Sequence, residues 1–329
     1  MTDIFGTLGP ACADEKILSK MFAEGMTGIR INLSHVMLED CAEDIQRIQR
    51  AALDNGVSPK ILIDMRGPEI RIGNLKEPMV LREGDRITVG CEGIPVTETA
   101  VKELECNDEI LLDDGKILAV VQAVQNGSAL LLVKRGGTLQ SRKSFYIVGK
   151  EPDTPAVTDE DLENIRIASE YGVTGVMQPF VRSVSDLETL RGALNENGGR
   201  DIKIYAKIEN MTGVNHLTGF FDAADEIVIA RGDLGNAMPL WELPKVQKQI
   251  SEKCNEHGIP FMVVTQMLAS MEHSKVPTRA EVSDIYNAVL DGASSVMVTG
   301  ETAVGENPVE VIRYLSRTAA QVNRNVFKR

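Results

Sequence analysis

The sequence predicts an α/β protein: a (β/α)₈ barrel carrying a small all-β domain inserted after its third strand. Short apolar runs rich in β-branched residues recur eight times along the chain, and segments of helical period lie between them. The alternation is interrupted once, over residues 74 to 153, where strand periodicity and hairpin signals replace the helices.

The strands follow in order. "IFGTLG" begins at Ile4, "GIRINLS" at Gly28, "KILIDMRG" at Lys60 and "VTGVMQPF" at Val173. "IKIYAKIEN" then begins at Ile202, "EIVIARGD" at Glu226, "PFMVVTQM" at Pro260 and "SSVMVTGE" at Ser294. Between them, segments such as "DEKILSKMFAEG", "DEDLENIRIASEYG", "PKVQKQISEKCNEHG" and "RAEVSDIYNAVLDG" carry helical spacing and end in Gly, a common helix stop. Within the interruption, "MVLREGDRITVG" and "DEILLDDGKILAVVQAVQNGSALLLVKRGG" read as strands, with Asp114-Gly115 and Asn126-Gly127 as hairpin turns. "GKEPDTPAV" is the return linker, and the run from Thr158 to Asp161 starts the next helix. The expected domains are therefore a barrel over 1–73 and 154–329 and an insert over 74–153.

Composition limits the function classes. The chain has 329 residues, 43% apolar and 25% charged, as expected of a soluble globular protein. A formal charge of −13 with no basic cluster argues against a nucleic-acid surface, so an anionic substrate must meet local positive charge. No window approaches the ~20 apolar residues of a membrane helix, and the start "MTDIFGTLGP" has no targeting character, so the expected location is cytoplasmic. The five cysteines form no CxxC and leave an odd count, which fits reduced, mostly buried thiols, and the four histidines lack zinc-ligand spacing. A homo-oligomer is compatible with these features.

The segment "IYAKIEN", residues 204–210, places Tyr205, Lys207 and Glu209 on one strand face and Ile204, Ala206 and Ile208 on the other. Alone, this pattern equally describes a solvated ion pair on an edge strand. The barrel assignment favours a site, because functional groups of this fold gather at the C-terminal strand ends. The other strands also finish in polar residues: Arg30, Asn32 and Ser34, then Asp64 and Arg66, Arg231 and Asp233, Thr265, and Glu301.

At these residues the chain resembles the pyruvate kinase family. "TLGPA", "RINLSH", "GPEIR", "KIEN", "ARGDLG", "TQMLASM", "PTRAEVSD", "NAVLDGA" and "GETAVGENPVE" stand in that family's order and approximate spacing, over nearly the whole chain. The resemblance implies phosphoryl transfer between phosphoenolpyruvate and ADP, with Mg²⁺ (or Mn²⁺) held by Glu209 and Asp233 and K⁺ held by Asn32, Ser34, Asp64 and the Met65 carbonyl. It implies that Arg30 and Lys207 stabilise the moving phosphoryl group. Gly232 and Asp233 would seat the substrate carboxylate, and Thr265 would relay a proton at the enolate face. An ordinary Thr bonded to backbone is the alternative at that position. Nucleotide contacts would come from Asn32, His35, Arg71 and Lys143, with the inserted domain as a lid. Glu69 matches the K⁺-dependent members.

The chain departs from the family mainly on the nucleotide side, at Val36, Asp40, Arg66, Val304 and the run "SRKSFY", and Pro179 stands where Ser is usual. It ends after the eighth barrel helix, so the family's C-terminal domain and its allosteric control are not expected. Two other readings start from the same residues: a lyase or decarboxylase binding phosphoenolpyruvate or an oxo-acid, and a non-catalytic metabolite-sensing paralog. The retained lid-like insert argues against the first, and the presence of Lys207, Glu209 and Asp233 against the second.

Overall fold

The computed structural model describes residues 2–34, 36–150 and 154–322. Its contacts form two compact units, one of Met1–Gly67, Ala156–Leu234 and Trp241–Arg329, the other of Pro68–Pro155 with Gly235–Leu240. Among the described residues no helix is long and apolar enough to cross a membrane.

The first unit is a closed barrel of eight parallel strands. They are β1 Asp3–Thr7, β2 Gly28–Asn32, β3 Lys60–Asp64, β4 Gly175–Gln178, β5 Lys203–Ile208, β6 Glu226–Ala230, β7 Phe261–Val264 and β8 Ser295–Met297. Each strand hydrogen-bonds its sequence neighbours, and β8 closes onto β1 with Asp3 opposite Ser295. Strands of three to six residues buried on both faces explain the near-continuous apolar runs in the sequence.

The interior is a packed core of Phe5, Leu62, Met177, Tyr205, Val228, Met262 and Met297. Two glycines make room for its rings. A Cβ on Gly28 would stand 2.2 Å from Phe5 Cε1, and one on Gly175 would stand 2.5 Å from Tyr205 Cε2. Below this layer, Lys60 pairs with Asp3, and the buried Glu226 accepts hydrogen bonds from Ser294 Oγ (2.8 Å) and Ser295 Oγ (2.5 Å). Above it lie Thr7, Arg30, Asp64 and Lys207, two residues further along their strands.

Helix starts follow local chemistry. Thr158 opens the helix Asp159–Ala168 with a capping box, its Oγ1 accepting from Asp161 N while Asp161 returns the bond to Thr158 N. Ser183 and Thr278 do the same for Val184–Glu196 and Arg279–Leu290. Asn210, the last residue of "KIEN", caps the short helix Met211–Asn215 through Gly213 N at 2.6 Å.

The second unit holds a five-stranded antiparallel sheet in the order Phe145–Ile147, Glu109–Leu112, Ile117–Gln125, Ser128–Arg135, Arg86–Gly90. Met79–Leu81 pairs separately with Gly137–Leu139. Asn126 and Gly127, at φ 50° and 74°, form the expected two-residue turn, and the other turn places Asp113, Asp114 and Gly115 all at positive φ. Residues 70–72 are already part of this unit: Phe145 N donates to the Ile70 carbonyl, and Ile72 N to that of Lys143.

Candidate active site

Lys207 lies on the inner face of β5, and its side chain is only 13% exposed. Its Nζ donates to Asp64 Oδ1 at 3.2 Å and Oδ2 at 3.3 Å, and stands 3.0 Å from Glu209 Oε1. The ammonium therefore joins β3 to the end of β5. A buried pair of this kind is a poor stability device unless every partner is satisfied, which excludes the solvated edge-strand reading.

Arg30 on β2 completes the cluster. Its Nε and Nη2 both reach Asp64 Oδ2, at 2.8 and 2.7 Å, and Nη1 donates to Thr7 Oγ1 at 3.4 Å. Burial alone would raise the Asp64 pKa, but Lys207 and Arg30 outweigh it and hold the carboxyl below its ordinary value. Burial likewise opposes the charge on Lys207, and Asp64 with Glu209 reverses it, keeping the amine protonated. Glu209 is pushed up, first by burial and then by the nearby charges of Asp233 and Asp64, against the pull of Lys207.

Glu209 is aimed by a backbone donor: Phe180 N, just beyond β4 and at φ 51°, donates to its Oε2 at 2.9 Å. Asp233 sits in the four-residue helix Arg231–Leu234 directly after β6 and acts electrostatically on both Lys207 and Glu209. Among the described residues no group of three or more His, Cys, Asp or Glu side chains is arranged to hold a metal. Two carboxylates that repel one another suit a Mg²⁺-type ion, which keeps several waters for substrate oxygens to replace.

The predicted K⁺ ligands come from neighbouring strand ends. Asn32 on β2 is the register partner of Asp64 on β3, Leu33 N donates to the Asp64 carbonyl at 3.0 Å, and Ser34 N donates to Asn32 Oδ1 at 3.2 Å. Met65 follows Asp64 and is buried. Asp64 thus has a second association that its sequence position did not reveal, with the two cations. The loop after β3 is fixed by Asp161, whose carboxylate accepts from Arg66 N at 2.9 Å and Gly67 N at 3.1 Å.

Thr265 follows β7 in an unusual backbone state, φ 80°, with Gln266 at 55°. A β-branched residue at positive φ costs on the order of 1–3 kcal/mol and persists only where surrounding contacts impose it. Gly232 lies beside it, a Cβ there falling 3.1 Å from Thr265 Cγ2. Glu301 is the polar residue read at the end of the eighth strand. It lies in the helix Gly300–Ala303, fully buried, and accepts from Leu268 N at 3.1 Å and Thr299 N at 2.7 Å. Its two oxygens tie together the loops after β7 and β8.

Arg71 and Lys143 belong to the second unit, where Arg71 pairs with Glu69 (2.5 Å) and Lys143 with Asp113 (2.7 Å). His35 lies outside the described residues. Sequence reasoning missed Phe180, Asp161 and Thr7, all of which act on residues remote in the chain. Only the capping pattern from Thr158 to Asp161 was a signal, and it indicated a helix start rather than a loop clamp.

A buried lysine and arginine, each paired with a carboxylate at the C-terminal strand ends of a (β/α)₈ barrel, define a charged site at the position where enzymes of this fold keep theirs. The chain belongs to the pyruvate kinase family: the family described as "Pyruvate kinase, barrel domain" matches residues 1–312. It is 36% identical over 334 aligned positions to the pyruvate kinase of Geobacillus stearothermophilus, covering 98% of this chain and 57% of that protein. It is also 36% identical to that of Aeropyrum pernix, covering 98% of this chain and 71% of that protein. Against the pyruvate kinase of Mycobacterium tuberculosis it is 37% identical, covering 97% and 69%. The chain therefore spans between about half and three quarters of the length of these relatives.

Proposed function

We infer that this chain transfers a phosphoryl group between phosphoenolpyruvate and a nucleoside diphosphate, ADP first among them, using Mg²⁺ or Mn²⁺ together with K⁺. The observation that carries this reading is the buried ammonium of Lys207 set between Asp64 and Glu209 beside the Arg30 guanidinium. Phosphoryl transfer asks little covalent chemistry of a protein and much positioned charge.

Glu209 and Asp233 would hold the divalent ion, which when bound would supply Lewis-acid charge to the reacting group. Lys207 neutralises the transferring group and the enolate left behind, and Arg30 grips phosphate oxygens with its planar fork. Gly232 and Asp233 turn backbone N–H groups toward the substrate carboxylate, and the Thr265 hydroxyl relays a proton through water to the enolate carbon. Asn32, Ser34, Asp64 and the Met65 carbonyl would supply the oxygens for K⁺. On the nucleotide side, Asn32, His35, Arg71 and Lys143 are the proposed contacts. The acceptor is the part of the proposal most exposed to test, because Val36 and Val304 present apolar side chains to solvent, 42% and 66% exposed.

The test is pyruvate formation from phosphoenolpyruvate, coupled to a reporter dehydrogenase, with each nucleoside diphosphate in turn. Turnover that requires a divalent metal and is faster in K⁺ than in Na⁺ or a large organic cation is expected. No turnover with any diphosphate overturns the reading, and equal rates in all three monovalent cations overturn the K⁺ cage.

A further inference from the structure

Arg231 is the first residue after β6, and its guanidinium turns to protein rather than toward a ligand. Nε and Nη2 donate to the Thr265 carbonyl at 3.1 and 2.7 Å, and Nη1 donates to both carboxylate oxygens of Asp284 at 2.9 and 2.7 Å. Nη2 also lies 2.9 Å from Met267 Sδ, and the side chain is only 11% exposed. The clamped carbonyl belongs to the residue with the most strained backbone of the site, since Thr265 stands at φ 80° with Gln266 at 55° behind it. Two N–H groups converging on one carbonyl fix the plane of the peptide between Thr265 and Gln266. Without them, relaxation to negative φ would rotate that plane and carry the Thr265 side chain away from Gly232, whose Cβ position lies 3.1 Å from Thr265 Cγ2 and 3.7 Å from Oγ1.

We propose that Arg231, anchored by Asp284, is a positioning residue that holds Thr265 in its left-handed conformation and so places the Thr265 hydroxyl for proton transfer at the enolate carbon. The role rests on the phosphoryl-transfer reading, in which Thr265 handles that proton. The partners of the Arg231 guanidinium are protein groups, the Thr265 carbonyl, Met267 Sδ and the Asp284 carboxylate. It differs in this from Arg30, whose guanidinium belongs to the charged cluster. The anchor gives the clamp its direction: Asp284 comes from the helix Arg279–Leu290, which follows the β7 loop, so the guanidinium bridges the end of β6 to the far side of the segment it restrains.

Arg231→Met, Arg231→Lys, Asp284→Asn and Thr265→Val in the full chain test this by two independent measurements. The first is amide hydrogen exchange over residues 264–268, expected to quicken by about tenfold or more in Arg231→Met while the remaining strands are unchanged. The second is exchange of pyruvate methyl protons with deuterated water in the presence of Mg²⁺. There Arg231→Met is expected to lose about 10- to 100-fold in kcat, with KM moving by less than about threefold, and Arg231→Lys to recover part of the loss. Adding Arg231→Met to Thr265→Val should lower the rate no further, because the arginine acts through the threonine. A double variant that multiplies the two losses, or a KM effect with unchanged kcat, overturns the proposal. If Arg231→Met does not fold, Asp284→Asn carries the same test, since it frees the guanidinium without removing it. If the parent protein neither transfers phosphoryl nor exchanges protons, the functional reading fails by itself, and amide exchange then decides the clamp: unchanged exchange at 264–268 overturns it.

Discussion

Lys207 Nζ and Asp64 Oδ1 stand 3.2 Å apart across 143 residues of sequence, joining β5 to β3 inside the barrel mouth. Lys207→Met removes this tie and the charge it brings. Phosphoryl transfer is expected to fall by on the order of 10² to 10³, the usual loss for one preorganised donor. Phosphoenolpyruvate binding should weaken far less, because in the proposed site the metal and Arg30 would still hold it. The variant also leaves Glu209 buried without its cation, so stability should fall by about 3 kcal/mol, the low end for a broken buried pair, since Asp64 keeps Arg30. Stopped-flow transfer rates and urea midpoints measure the two effects, and wild-type transfer in a folded variant would remove Lys207 from the chemistry.

Glu209→Gln and Asp233→Asn should each abolish most turnover and raise the Mg²⁺ concentration needed for half-maximal rate, because each removes one of two carboxylates offered to the ion. Titration of the rate with Mg²⁺ and with Mn²⁺ checks this. Normal turnover at limiting metal in either variant contradicts the assignment.

Glycine substitutions should separate by what a Cβ would meet. At Gly175 it would fall 2.5 Å from Tyr205 Cε2 and 2.7 Å from Leu62 Cδ2, so Gly175→Ala should destabilise by about 1–3 kcal/mol through overpacking. At Gly192, inside the helix Val184–Glu196, nothing lies within 4 Å, so Gly192→Ala should stabilise by about 0.4–1 kcal/mol. Opposite shifts in urea midpoint are the expected result, and shifts of the same sign would refute the packing account.

Glu226 gives the barrel floor a pH dependence. Its pKa is raised, first by burial and then by Asp3 on β1, while Ser295, Ser294 and Lys60 on β3 pull the other way and Tyr205 on β5 lies close enough to feel its charge. A carboxyl raised on folding binds its proton more tightly in the native state. Its stability is therefore complete below the unfolded pKa and is lost as pH rises through the folded value. Glu226→Gln keeps the oxygen that both serines address and removes the ionisation, so its Tm should exceed wild type by about 2 °C near pH 8, with a smaller difference or none near pH 4. Calorimetry at the two values measures this, and a gap that widens on acidification would disprove it.

The sequence by itself determined the order of strands and helices, because a period of two or of 3.6 residues is written into each short segment and each segment meets a core. It also determined the hairpin at Asn126-Gly127, where positive φ is a local demand, and it placed Arg30, Asp64, Lys207 and Glu209 at strand ends that a closed barrel gathers on one rim. Tertiary structure alone decided what these groups do to one another. Asp64 reads from its segment as an oxygen ligand, and only barrel closure, which sets β2 beside β3 and brings β5 to the same rim with β4 between, makes it the shared acceptor of Arg30 and Lys207. Asp161 reads as a capping residue, and only the fold brings the N–H groups of Arg66 and Gly67 onto its carboxylate. Glu301 reads as a polar strand end, and only the fold shows its two oxygens joining the loops after β7 and β8. Arg231 carries no sequence sign of its grip on Thr265, thirty-four positions on. Periodicity specifies the face on which a side chain emerges, whereas its partner is set by strand register and loop path, which depend on every element of the barrel closing together.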